Sequence, residues 1–201
     1  MQNSSPFEDY VPEGTYSFFL SLKKQYPFSL KIITRRRKTR LGDFRVINGN
    51  EGVITINSNL NQYSFAVTLL HEIAHLMVWR DLGNRIEKHG IIWKSYFSNL
   101  LNLFCEYNLP QDVKNAIRIY MKNPKASRYS DYKLAMVLNR YDIKHESEIF
   151  LGELKEGELF LLLSNGRKYI RGIKRRTRIV CVDLESKGKY LINVAALVRR
   201  E

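Results

Sequence analysis

The segment from Tyr63 to Arg80 constrains the fold most, because its pattern is that of a helix with apolar side chains on nearly every side. Such a helix has to be buried within a folded domain. Its polar residues recur at i, i+3, i+4 and i+7 and form one narrow stripe, made of Thr68, His71, Glu72 and His75. A buried carboxylate or imidazole is costly unless it is hydrogen-bonded or bound to an ion. The stripe therefore predicts a specific polar interaction in the core.

Three residues of this stripe form a His-Glu-x-x-His motif. His71 and His75 stand one turn apart on the same face of the helix, so their imidazoles can converge on one cation, and zinc suits such a pair. Glu72 lies close enough to that position to hold a water molecule without being a ligand, which is the place of a general base. The alternative is that all three are hydrogen-bonded core residues. The acid within the motif favours a catalytic zinc site.

A catalytic zinc needs a third protein ligand and an open fourth position. Three of the 4 histidines of the chain lie between positions 71 and 89. We predict His89 as the third ligand, because it follows a loop long enough to reverse the chain and directly precedes the next helix. Glu106, on that helix, is the local alternative. His145 lies in a polar stretch and is expected at the surface, since a fourth protein ligand would close the open position.

Two parts are expected in the chain, residues 1–145 and residues 146–201. The first is predicted to be α+β, with a small, mostly antiparallel sheet of three strands at 29–34, 44–47 and 53–57. Its helices are predicted at 13–26, 63–80, 91–104, 111–122 and 132–138. The second alternates apolar runs with glycine-containing turns and is predicted to be a small β-rich module with strands at 160–163, 169–173, 178–182 and 190–194.

The net charge of +13 and the sequence pI near 9.8 predict attraction to polyanions, of which nucleic acid is the most abundant in the cytoplasm. A solvated basic surface is the alternative. No secretory leader or membrane-spanning run is evident, and Cys105 and Cys181 form no paired motif. These features predict a cytoplasmic protein that does not bind membranes.

Two basic stretches are candidates for contact with nucleic acid. One runs from Arg35 to Arg40, between two predicted strands. The other contains no acid and lies in the β-rich module, with Tyr169 available to stack on an exposed base; its cations are Arg167, Lys168, Arg171, Lys174, Arg175, Arg176 and Arg178. The alternative is a solvated face that keeps edge strands from aggregating. We favour binding of nucleic acid.

The runs Thr68–His75 and Lys88–Lys94 resemble the SprT-like metallopeptidases, the group that includes Spartan. Arg40–Arg45 and Ile54–Asn57 are also similar to the strand region of that family, and the resemblance spans roughly Phe7–Leu103. It implies a zincin-like domain and, in some members, an association with DNA. The zinc ligands and catalytic residue that it implies are His71, His75, His89 and Glu72.

The carboxy-terminal part departs from this family. Many members carry a zinc ribbon with paired cysteines there, whereas this chain keeps only Cys181. We therefore expect a ribbon-like or other small β module without a second metal.

These patterns predict a metallopeptidase with one catalytic Zn²⁺ that hydrolyses peptide bonds of proteins, including DNA-associated ones, with help from Glu72. A non-proteolytic, zinc-stabilised DNA-binding protein and a hydrolase of smaller substrates are the alternatives. The peptide is expected to lie extended along a sheet edge, for which Val53–Asn57 is the predicted strand.

Overall fold

The structure, a computed structural model, describes residues 7–34, 40–125, 131–142 and 148–201. It is a mixed α+β protein that divides into two compact units. Among the described residues, the first unit comprises 7–125 and 137–142, and the second comprises 131–136 and 148–201. The predicted boundary near residue 145, His145 and most of the Arg35–Arg40 stretch lie outside the described residues. The division into 1–145 and 146–201 stays a prediction.

Helices form at all five predicted places, with ends that differ by up to three residues. They are α1 (Tyr16–Gln25), α2 (Gln62–Leu82), α3 (Ile91–Cys105), α4 (Gln111–Met121) and α5 (Tyr132–Asn139). Proline lies near two of these helix ends, since Pro27 follows α1 and Pro110 precedes α4. Proline has no backbone N–H to donate, so it is disfavoured in the interior of a helix. Within the described ranges, no helix is long and apolar enough to cross a membrane.

Helix α2 is the buried helix that the apolar pattern predicts. It begins where the Asn61 side chain accepts a hydrogen bond of 2.9 Å from the backbone N–H of Ser64. It ends at Gly83, whose φ of 77° turns the chain and whose N–H donates to the Trp79 carbonyl at 3.0 Å. Twelve of the 21 side chains of α2 are buried, which agrees with the prediction from the apolar pattern that this helix lies in the core.

The first sheet has three strands in the order β1 (Ser29–Ile33), β3 (Glu51–Asn57) and β2 (Gly42–Ile47). The hairpin between β2 and β3 is antiparallel, as predicted, and turns at Asn48 and Gly49, which both have positive φ. Strand β1 is parallel to β3, so the prediction of a mostly antiparallel sheet is wrong for this pair.

Strand β3 is the central strand of this sheet. Both of its edges are occupied by neighbouring strands, so the prediction that Val53–Asn57 offers a free edge to a peptide is wrong. A proline at Ile56 would break the ladder rather than affect substrate binding alone. The outer strands are β1 and β2.

The second unit contains a six-stranded antiparallel sheet. Its order is β4 (Glu148–Phe150), β9 (Leu197–Arg200), β5 (Leu159–Leu162), β6 (Arg167–Arg175), β7 (Arg178–Asp183) and β8 (Lys189–Asn193). The four predicted strands correspond to β5 to β8, whereas β4 and β9 were not predicted. Its core is apolar and includes Leu151, Phe160, Tyr169, Ile179, Cys181 and Val198.

Candidate metal centre

Helix α2 and the loop that follows it bring three histidines together. His71 and His75 lie one turn apart on α2, and His89 reaches them from the last turn before α3. The Nε2 atom of His89 lies 3.1 Å from Nε2 of His71 and 2.9 Å from Nε2 of His75. The structure thus places the three predicted ligands in one cluster.

The donor geometry fits a metal ion. In a tetrahedral zinc site with bonds of about 2.0–2.1 Å, the ligand nitrogens lie about 3.3 Å apart, close to the separations found here. Hydrogen bonding explains the cluster less well, because Nε2 of a neutral His89 has either one N–H or one lone pair, and this single group would have to serve both neighbours. The three histidines can therefore hold a metal ion.

The electrostatic environment keeps these imidazoles in the form that binds metals. Burial, with the charges of His75 and His89, holds the pKa of His71 well below its ordinary value. Burial, with His89 and Lys88, lowers the pKa of His75 to about 3. Burial and Lys88 also lower the pKa of His89. Because their pKa values are lowered, the rings are neutral near pH 7 and their lone pairs are available to a cation.

The backbone at His89 is unusual. Its φ is 64°, in the left-handed region that L-residues with large side chains rarely adopt. A strained conformation of this kind persists only where the surrounding structure requires it, and such residues cluster at functional sites. The loop conformation therefore costs some stability and delivers the ring to its two partners on α2.

Glu72 is buried between α2 and the beginning of β2. Its side chain lies so close to Gly42 that a Cβ atom on this glycine would stand 3.1 Å from Glu72 Oε1 and 2.9 Å from Thr68 Cγ2. Thr68 itself is satisfied within the helix, since its hydroxyl donates to the Ser64 carbonyl at 2.7 Å. Sequence reasoning missed the role of Gly42, although a glycine at the start of a strand is a known signal for close backbone approach.

Aromatic rings surround the histidines. The Trp93 ring centroid lies 4.6 Å from those of His71 and His89 and 5.2 Å from that of His75. Phe97 contacts His71 at 5.3 Å between centroids. The apolar pattern of α3 predicts that both aromatic residues are buried, but it does not predict that they lie beside the three histidines.

The alternative ligand Glu106 does not join the cluster. It lies at the carboxyl end of α3, whereas His89 precedes the amino end of this helix. Among the described residues, the candidate ligand group at this centre consists of the three histidines alone. The geometry therefore favours His89 over Glu106 as the third ligand.

The seven basic residues between positions 167 and 178 that were predicted to contact nucleic acid fall into two groups. Three of them pair with acids, since Arg167 lies 3.2 Å from Asp183, Lys168 binds Glu201, and the largely buried Arg171 lies 3.9 Å from Glu156. The others lie at the end of the β6–β7 hairpin. Among the described residues, no acid lies within ion-pair distance of the exposed Arg175, Arg176 and Arg178.

Tyr169 is not available for stacking on a base. Only 3% of its surface is exposed, and its ring packs on that of Phe160 at 5.7 Å between centroids. Its hydroxyl accepts a hydrogen bond of 3.0 Å from Asn165. The prediction of a stacking role for Tyr169 is therefore wrong.

No family model, curated protein or solved structure matches this chain. The resemblance to the SprT-like metallopeptidases rests on the motif residues alone and stays a prediction.

Proposed function

We propose that this protein is a zinc metallopeptidase of the SprT-like type. The observation that carries the proposal is the convergence of three Nε2 atoms, in which those of His71 and His75 lie within 3.1 Å of that of His89, beside a buried glutamate on α2. The packing of α2 against a small sheet supports a zincin-like domain. The donor atoms support zinc rather than a harder cation, because imidazole nitrogen is a ligand that zinc prefers.

The chemistry follows from the donor set and from Glu72. A zinc ion at this centre would supply Lewis-acid chemistry, polarising the scissile carbonyl and lowering the pKa of water. The three neutral imidazoles would hold the cation, and no fourth candidate ligand joins them among the described residues, which would leave room for water. Glu72 accepts the proton of the attacking water and returns it to the leaving amine. Burial of its carboxylate keeps bulk water away from this transfer.

Strand β2 is the better candidate for binding the peptide. It is an outer strand of the sheet, and its first residue, Gly42, lies against Glu72. An extended peptide that adds to an outer strand gains main-chain hydrogen bonds along its length. We propose that substrate lies along β2, which brings its backbone past the catalytic carboxylate.

The test combines metal analysis with a protease assay on an unfolded protein substrate. We expect one zinc per chain and turnover that a chelator abolishes and added zinc restores. Zinc bound at one equivalent without hydrolysis of any protein or peptide would reject the peptidase proposal. Hydrolysis of small amides alone would favour the hydrolase of smaller substrates.

Gly42→Ala should slow hydrolysis without removing the metal. The new Cβ would lie 2.9 Å from Thr68 Cγ2 and 3.1 Å from Glu72 Oε1, so the Thr68 methyl group has to move and the carboxylate has to shift by a few tenths of an ångström. Since a misplacement of about 1 Å costs about 100-fold, this smaller shift is expected to cost about 3- to 10-fold in kcat, while the histidines keep their positions. The measurement is kcat together with zinc content.

Gly52→Ala is the matched control for this prediction. Its Cβ would lie 2.8 Å from Leu76 Cδ1, so it crowds the same helix and sheet without touching Glu72. Both variants are expected to lose about 1–3 kcal/mol of stability through overpacking. Equal effects of the two variants on kcat would contradict a positioning role for Gly42.

We also propose that the end of the β6–β7 hairpin binds DNA. Its three exposed arginines without acidic partners among the described residues support this hypothesis. Binding should weaken steeply as salt rises, because counterions are released from the phosphates. Reversing the charges of Arg175 and Arg176 to glutamate should reduce the slope of log K against log salt by about 2.

Charge reversal at Arg118 on α4 and at Lys122, which directly follows α4, is the control, because it changes the net charge equally but within the first unit. If both pairs reduce the slope to the same extent, the effect reflects total charge and the hairpin proposal fails.

A further inference from the structure

We propose that Trp93 is a positioning residue, whose indole holds the three histidines in the arrangement that binds metal. The inference rests on the proposed function only in that the histidines bind a metal; it does not require peptidase activity. From the sequence pattern alone, Trp93 is predicted only to be a buried core residue.

Trp93 is the one aromatic residue among the described residues that contacts all three rings. Its ring stacks on His75 with an angle of 26° between planes. It meets His71 and His89 edge to face, at 60° and 81°. Only 1% of its surface is exposed, so the indole is itself fixed by the core of the first unit.

The histidines need such support because they come from different parts of the backbone. His71 and His75 belong to a rigid helix, but His89 belongs to a loop with positive φ. Ordering a free side chain on binding costs about 0.5–1.5 kcal/mol, and this cost is avoided if the ring is already held. In the tautomer that binds metal, all three Nε2 atoms carry lone pairs that repel one another, so a surface that prevents the rings from turning apart favours this arrangement. The indole supplies this surface for each ring.

A partner farther along α3 reinforces the contact. The Phe97 ring lies 4.9 Å from that of Trp93 and also contacts His71. The spacing of Trp93 and Phe97 places both on the side of α3 that faces α2. The indole is thus held between the histidines and a second ring.

Shape rather than hydrogen bonding accounts for this role. The Nε1 atom of Trp93 is buried, and no acceptor lies within hydrogen-bonding distance of it among the described residues. A buried donor without an acceptor destabilises the fold. The indole N–H therefore gives no reason for tryptophan here, and a phenylalanine should preserve most of the positioning.

The experiment compares zinc affinity in Trp93→Leu, Trp93→Phe and Phe104→Leu, measured by competition with a chromophoric chelator. We expect Trp93→Leu to weaken zinc binding by about 10- to 100-fold, the range for residues that orient metal ligands. Trp93→Phe should stay within about threefold of wild type, since it keeps an aromatic ring against the imidazoles. Phe104→Leu is the matched control, because Phe104 is fully buried on the same helix and its ring contacts Phe18 and Phe19.

A second measurement does not depend on the stability of these variants. The chain has 2 tryptophans, so in Trp79→Phe the fluorescence comes from Trp93 alone. Addition of Co²⁺ should quench this emission with a stoichiometry of one, and the Co²⁺ absorption bands should report tetrahedral coordination. Emission that saturating Co²⁺ leaves unchanged would overturn the proposal.

The other outcomes separate the two proposals. Equal zinc affinity in Trp93→Leu and Phe104→Leu would overturn the positioning role, as would a loss in Trp93→Phe as large as in Trp93→Leu. Zinc binding that depends on Trp93, in a protein without peptidase activity, would support the positioning role while the proposed function fails. A wild-type protein that binds neither zinc nor Co²⁺ would overturn both.

Discussion

Glu72→Gln should bind zinc as tightly as the wild-type protein and hydrolyse peptides about 100- to 10,000-fold more slowly, the range for loss of a general acid–base group. Glutamine has almost the same shape as glutamate, so it fits the buried space beside Gly42. It cannot accept a proton from water at neutral pH. The three histidines that can hold the metal, His71 and His75 on α2 and His89 on the loop, are unchanged. The measurements are zinc content, kcat and KM, with the loss expected in kcat.

Glu106→Gln is the control for this prediction. It makes the same chemical change at the carboxyl end of α3, away from the histidine cluster, and we expect it to retain full activity. If Glu72→Gln leaves zinc content, fold and every activity unchanged, the metal is structural and the protein is better described as a zinc-stabilised DNA-binding protein. A large loss in Glu106→Gln would instead return this residue to the site as a ligand.

Local spacing explains why the helix of the site could be predicted. The apolar pattern of Tyr63–Arg80 predicts burial, and the positions of His71 and His75 on one face follow from helix geometry alone. His89 could be predicted because few histidines were available and a loop connects it directly to α3. In each case the relevant contacts are near in sequence.

Contacts between distant segments could not be predicted in this way. The apolar alternation of β1 and β3 indicates strands, but it does not reveal that β1 joins β3 in parallel and makes it central. The closeness of Gly42 to Glu72 depends on that arrangement, because it sets where β2 crosses α2. Trp93 has the apolar character of a core residue, and only the angle between α2 and α3 turns it towards the histidines.

In the second unit, the orientation of a side chain on strand β6 could not be predicted from the sequence either. Side chains of β6 alternate between the two faces of the sheet, so Tyr169 faces the opposite side from Lys168 and Ile170. Composition alone suggested a basic stretch with an exposed tyrosine. In the structure Tyr169 lies opposite Asp183 on β7 and its ring is in the core, while the arginines at the hairpin end are exposed and have no acidic partner among the described residues.

His89→Ala should weaken zinc binding by at least about 100-fold and abolish hydrolysis. Structural zinc sites gain roughly 10–16 kcal/mol from four ligands, which is about 2.5–4 kcal/mol per ligand, and about 2.7 kcal/mol corresponds to a 100-fold change in affinity. The two histidines on α2 remain, but they do not complete a three-ligand site. His145→Ala removes the remaining histidine and is expected to leave zinc binding unchanged. Equal affinity in His89→Ala and wild type would remove His89 from the site.

The backbone of His89 allows a further comparison, between His89→Ala and His89→Asn. Both variants lose the ring, but asparagine adopts positive φ more readily than alanine. In the absence of metal, His89→Asn should therefore be about 0.5–1 kcal/mol more stable than His89→Ala in chemical unfolding.

Zinc should stabilise the wild-type protein more than either variant. At a zinc concentration of 100 times its Kd, the free energy of unfolding of the wild-type protein should rise by about 2.7 kcal/mol, and that of each variant should rise by less. Equal stability of the two metal-free variants would show that the loop relaxes without its ring, and that the strain at this residue exists only while the three imidazoles converge.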